Sequence, residues 1–182
     1  MKEKRRKKIE GMLQEFIQQF STYGMDKTTI KMLATAVDCN EALLYQYFED
    51  KDDMIEKCTE YHHEKIENEL SALWLQQIGD LKKLGEKTIK YLDSVMEPCR
   101  FIMQVIAHPE YSDCAKETGM KEQDHAHEFV EELQKIYSVT EEGAMGIALG
   151  INSFVNNYIL RPDKKCFFLQ YNALTAVLQK AA

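Results

Sequence analysis

The chain has 182 residues, 45% of them hydrophobic, with three prolines and eight glycines; this allows one full domain or a small one beside a larger one, and favours an all-α fold. Its net charge of −7 is uneven: residues 1–51 carry nine Lys/Arg against eight Asp/Glu and the remainder 14 against 22, so the bulk would repel a polyanion and only the N-terminal end could face one. No apolar run approaches the ~20 residues of a membrane span, and the start MKEKRRKKIEGM lacks the apolar segment of a secretory signal. Cys39, Cys58, Cys99, Cys114 and Cys166 are odd in number and never spaced CxxC, against a disulfide framework or a zinc knuckle. The expectation is a cytoplasmic chain with reduced thiols and no cofactor.

Lys2, Lys4, Arg5, Arg6, Lys7 and Lys8 form a basic arm, which alone reads as a solvated terminus and ahead of a binding motif reads as part of it. A first helix follows with Ile9, Met12, Leu13, Phe16, Ile17 and Phe20 on one apolar stripe, ending at Gly24. Thr28 or Thr29 can cap a second helix carrying Ile30, Leu33, Ala34 and Val37. Asp38-Cys39-Asn40 breaks the pattern: Asp tolerates the left-handed conformation a tight turn needs, and Asn40 can cap a third helix. There Leu44 and Phe48, one turn apart, pack inward and leave Glu41, Ala42, Leu43, Gln46 and Tyr47 on other faces. Small, apolar, amide and phenolic groups suit base edges, thymine methyls and phosphates better than they suit a bland solvated face. The next helix opens at Asp50-Lys51-Asp52-Asp53, where three acids complement the helix dipole and Lys51 is explained by a nearby phosphate.

Gly24, Thr28-Thr29, Leu33-Ala34, Leu44-Tyr45, Phe48 and Lys51 resemble, at matching spacing, the N-terminal signature of TetR-type bacterial transcriptional regulators, over roughly residues 5–55. The chain departs at Asp38, where that family usually has glycine, and at Val37, where it usually has a small residue; both bear on the turn. The resemblance implies a helix-turn-helix DNA-binding domain at 1–50 and a helical effector-binding and dimerisation domain at 51–182. It implies that Lys31, Glu41, Ala42, Leu43 and Gln46 approach bases while Thr29, Tyr45, Tyr47 and Lys51 grip phosphates of a double-stranded operator. A ligand-responsive repressor released by a small-molecule effector is the function it implies.

Beyond residue 50, a long helix is predicted from Lys51 to about residue 76, then helices near 80–96, 98–107, 117–137, 140–160 and 163–180, punctuated by Gly79, Pro98, Pro109, Ser138 and Pro162. The last two are the least polar, and Gly143, Gly146 and Gly150 fall on or near one face, where a helix of the same subunit or of another could approach closely. In the resembled family this pair forms the homodimer interface. An effector cavity is implied too, with His62, Met96, Phe101, Met103, Gln104, His108, Phe129 and Asn152 as candidate lining, although for any one Met or aromatic, core filling is the commoner role.

Two rival classes are weighed. Glu60 to His63 and Glu122 to His125 are EXXH units of the kind di-iron helical-bundle enzymes use, but that reading leaves the 28–51 motif unexplained. A protein-interaction module would use the same motif to grip another protein. No HEXXH, GXSXG, P-loop or GXGXXG occurs, so no catalytic or metal site is assigned.

Overall fold

The computed structural model describes residues 2–113 and 123–181, and among these it is built of helices joined by short turns. In chain order they are α1 (Lys2–Tyr23), α2 (Ile30–Ala36), α3 (Glu41–Leu44), α4 (Lys51–Gln77), α5 (Leu81–Ser94), α6 (Met96–Ala107), α7 (Gln123–Tyr137), α8 (Glu141–Leu160) and α9 (Lys164–Ala181). The apolar periodicity and the capping residues place most of these ends. The break before α6 falls at Val95, and Pro98 lies inside its first turn, where the missing N–H is not needed. The predicted start near 117 of the helix ending at Tyr137 lies outside the described residues, as does Cys114.

Packing groups the described parts of 1–65 and 97–118 into one compact unit and those of 66–96 and 119–182 into another. In the first, the α1 stripe buries Met12, Leu13, Phe16, Ile17 and Phe20. Phe16 meets Phe48 at 5.5 Å between ring centroids, and Phe20 stacks on Phe101 of α6 at 5.4 Å. A three-helix head of this size has a marginal core by itself. Here α4 and α6 enlarge it: the Cys58 thiol and the His62 imidazole both reach the Leu13 carbonyl, and Gln18 bonds Glu97. That α6 belongs with the head follows from contacts far apart in sequence.

In the second unit α8 packs against α7 and α9, and α9 against α5. Tyr171 is fully buried, its hydroxyl donating to the Leu81 carbonyl at 2.8 Å, and its ring lies so close to Gly85 that a Cβ there would come within 2.8 Å. Gly150 likewise faces Leu174 of the same chain, where a Cβ would stand 2.7 Å from the Leu174 side chain, whereas Gly146 opens onto free space. Close packing at Gly150 is thus intrachain. Tyr158 donates to Asp93 at 2.6 Å and Lys164 pairs with the same carboxylate at 2.7 Å; the two hydrogen bonds hold Asp93 below the usual carboxylate range. Burial and this partner push the Tyr158 phenol up to about 12.

Candidate nucleic-acid interface

The α2–turn–α3 segment is organised by side-chain bonds that its sequence specifies. Thr29 is the N-cap of α2, its hydroxyl accepting from the Met32 N–H at 3.2 Å. Thr28 is buried instead and donates to the Gly24 carbonyl at 2.7 Å, clamping the loop in which Gly24 holds a φ of 81°. Of the two threonines, each thus has its own task. Asp38 takes a φ of 50°, the left-handed conformation that a glycine would adopt without strain. Asn40 then caps α3, its Oδ1 accepting from the Leu43 N–H at 2.8 Å. Asp38 thus supplies the left-handed residue at the position where the resembled family usually has glycine.

After Leu44 the chain continues in a tightened turn, with Gln46 and Tyr47 N–H groups bonded to the Leu43 and Leu44 carbonyls and Phe48 N–H to Leu44. Leu44 and Phe48 are buried, and Glu41, Ala42, Tyr45 and Gln46 are exposed, with Leu43 and Tyr47 half-buried. The inward and outward faces are those the spacing predicts. Lys31 and Thr29 are exposed on the neighbouring helix. The α4 start is fixed by Asp50, which accepts from the Asp53 N–H, and by Asp53, which accepts from the Glu49 N–H. Lys51 is half-buried and its ammonium donates to the Met25 carbonyl at 3.1 Å, leaving two of its three protons for another acceptor.

Sequence reasoning missed what holds the far end of this motif. The basic arm is the start of α1 rather than a loose terminus: Arg5 donates to the Gln46 carbonyl at 3.0 Å and lies 5.4 Å from the Tyr47 ring centroid, and the Lys8 ammonium lies 5.2 Å from the same ring. Arg5 and Lys8 continue backward the helix face that buries Met12 and Phe16, so a helical spacing did mark them. Burial pushes the Cys39 thiol in the turn up, although Lys8 pulls it the other way.

The eight candidate cavity residues are divided between the two packing units. His62, Phe101, Met103, Gln104 and His108 belong to the first packing unit, and Met96, Phe129 and Asn152 to the second. Gln104 and His108 border an open recess of about 430 Å³ with Met25, Asp26 and Pro109. The His108 Nδ1 accepts from the Glu110 N–H, which leaves the proton on Nε2, 3.5 Å from an Asp26 carboxylate oxygen. His62 is buried on the Leu13 carbonyl, Phe101 is buried on Phe20, and Phe129 is buried against Trp74. Met96 and Met103 are half-buried, and Asn152 is exposed. Burial holds the His62 imidazole below its ordinary range. Glu60 of the first EXXH unit points to solvent, and the second unit lies outside the residues whose side chains are described; among the described residues no three His, Cys, Asp or Glu side chains gather as a metal site.

Residues 16–58 match the family model of bacterial regulatory proteins, tetR family. No curated protein matches the sequence. Among solved structures, one from Mesorhizobium loti assigned to the TetR family of transcriptional regulators superposes with a TM-score of 0.75 at 13% identity, covering 97% of this chain and 96% of that one. A transcriptional regulator of the TerR/AcrR family from Aquifex aeolicus gives 0.67 at 16% identity, covering 96% and 99%. NalD, the secondary repressor of the MexAB-OprM multidrug efflux pump in Pseudomonas aeruginosa, gives 0.54 at 12% identity, covering 98% and 97%. At such identities the likeness establishes the fold.

Proposed function

We propose that this chain, whose residues 16–58 match the tetR family model of bacterial regulatory proteins, is a DNA-binding transcriptional regulator that acts as a homodimeric repressor released from its operator by a small-molecule effector. The observation that carries the reading is the division of the segment 41–48: Leu44 and Phe48 are buried in the core, while Glu41, Ala42 and Gln46 stand exposed on a segment capped and clamped at both ends. In this reading Lys31, Glu41, Ala42, Leu43 and Gln46 meet base edges, and Thr29, Tyr45, Tyr47 and Lys51 meet phosphates. Glu41 can accept from a cytosine amino group and Gln46 can pair with adenine.

The DNA-binding domain is assigned to 1–50 and the regulatory domain to 51–182, which opens with α4. A dimer through α8 and α9 accounts for Met145, Leu149 and Leu160 on the first and Leu169 and Val177 on the second, apolar side chains left exposed in a single chain. Asn152 falls on the same stripe as Met145 and Leu149. Two copies would then present two α3 segments to half-sites about 34–36 Å apart or a multiple of that. Release requires an effector that binds one spacing of those segments better than the other. Among the described residues no helix is long and apolar enough to cross a membrane, and the cytoplasm, where the operator lies, is the proposed location.

Fluorescence anisotropy on a duplex from immediately upstream of the chain's own gene tests the reading. Lys51→Ala should weaken binding to every sequence alike and flatten the dependence of log affinity on log salt by about one unit per bound head. A wild-type protein that binds no duplex at low salt would overturn the regulator.

A further inference from the structure

The six cations at the start of α1 are not equivalent. Arg6 pairs with Glu10 at 3.4 Å and Lys7 with Glu3 at 3.4 Å, both on α1 itself. Arg5 and Lys8 instead lie on the face turned toward the end of the α3 segment, with the Tyr47 ring at 5.4 Å from one and 5.2 Å from the other. The cations of this first turn, Arg5 among them, also sit where the helix dipole favours anions. Cation–ring contact at an exposed site returns only about 0.5–1 kcal/mol, and Arg5 has a further bond, to the Gln46 carbonyl, at 3.0 Å. That bond uses one of five guanidinium N–H donors, so most of the fork stays unspent beside an exposed edge.

We infer that Arg5, Lys8 and Tyr47 together form a binding site for a DNA backbone phosphodiester, abutting the base-reading edge of α3, and that Arg6 and Lys7 take no part in it. This rests on the regulator reading and adds to it a site formed jointly by α1 and the end of the recognition segment. Arg5 has two roles. Its bond to the Gln46 carbonyl fixes the residue whose side chain reads a base, and its remaining donors, with the Lys8 ammonium and the Tyr47 hydroxyl, are left to bind the non-ester oxygens of one phosphate. Lys8 supplies a compact ammonium, without the planar fork of a guanidinium.

The test measures salt-dependent anisotropy of the full chain on two duplexes, one from upstream of its own gene and one of unrelated sequence. The R5A/K8A protein should lose about two units of slope per bound head on both duplexes, one for each cation released from a phosphate, and R6A/K7A should keep the wild-type slope. R5Q/K8Q, which preserves the stems and a donor, should lose the same slope, so that loss of packing in the alanine protein cannot account for the result. Tyr47→Phe should weaken binding on both duplexes with the slope unchanged, since it removes a neutral donor. Equal losses from the two double variants would show diffuse attraction by the whole basic run and overturn the site. So would an unchanged slope in R5Q/K8Q, with the regulator left standing because the wild type binds. No duplex binding by the wild type would overturn both.

Discussion

The two packing units differ in how their important residues are distributed along the chain. In the unit formed from 1–65 and 97–118, the outward edge, its cap and its buried anchors all lie between Thr28 and Lys51, and the caps and the turn that shape them are made by neighbours within a turn or two. In the unit formed from 66–96 and 119–182, the decisive contacts join Gly85 to Tyr171, Asp93 to Tyr158 and Ile78 to Tyr137, dozens of residues apart. The first kind of information is written locally, and the second exists only once the helices have packed. A small, local motif can therefore be read as a site, while a body of packed helices reads as core.

The largest expected effect lies under the reading edge. Leu44 is fully buried beneath α3, and Leu44→Ala should destabilise the protein by about 2–5 kcal/mol, seen as a lower urea midpoint, and loosen α3. A midpoint that does not move would mean that α3 is not seated on a core.

The legible and illegible parts of the sequence follow the same division. Asn40 could be named as a cap, and one of Thr28 and Thr29 as another, because capping depends on two or three adjacent residues, and Asp38 could be placed in the turn because few side chains tolerate that φ. The candidate cavity residues had only their chemistry to recommend them, and what each one meets is settled by packing: Phe101 goes onto Phe20, Phe129 onto Trp74 and Asn152 to the surface. The place of α6 beside α1 was hidden for the same reason. The bond between Arg5 and Gln46 spans 41 residues, and no local pattern announces it.

The second unit supplies a sharper pair. Gly85→Ala drives a Cβ to 2.8 Å from the ring of Tyr171, whose hydroxyl is tethered to Leu81, and should cost about 1–3 kcal/mol. Gly146→Ala meets no neighbour in mid-helix and should raise stability by up to about 1 kcal/mol. Thermal melts of the two would separate these effects, and equal losses would contradict the packing described, unless Gly146 is the face that a second copy covers.

The smallest effect is a dependence on pH in the first unit. Burial favours neutral His62, and His63 is shifted the same way by burial, so their folded values lie below the ordinary 6.5. The stability they confer is complete above that value and is lost as the pH falls from it through the folded values, because the unfolded chain takes up protons first. Urea midpoints measured over about pH 5 to 8 should decline on the acid side, less steeply in His62→Gln. A flat profile in the wild type would mean that His62 is not held in an apolar site.

The central claim is that the exposed edge of α3 reads base pairs. Selection of bound sequences from a random duplex library, carried out with the wild type and with Gln46→Ala, tests it most directly. The expected result is a changed preference at one base-pair position in each half-site, with about 1–3 kcal/mol of discrimination lost there and the remaining positions kept. The same selected sequence for both proteins, with affinity reduced evenly, would contradict it.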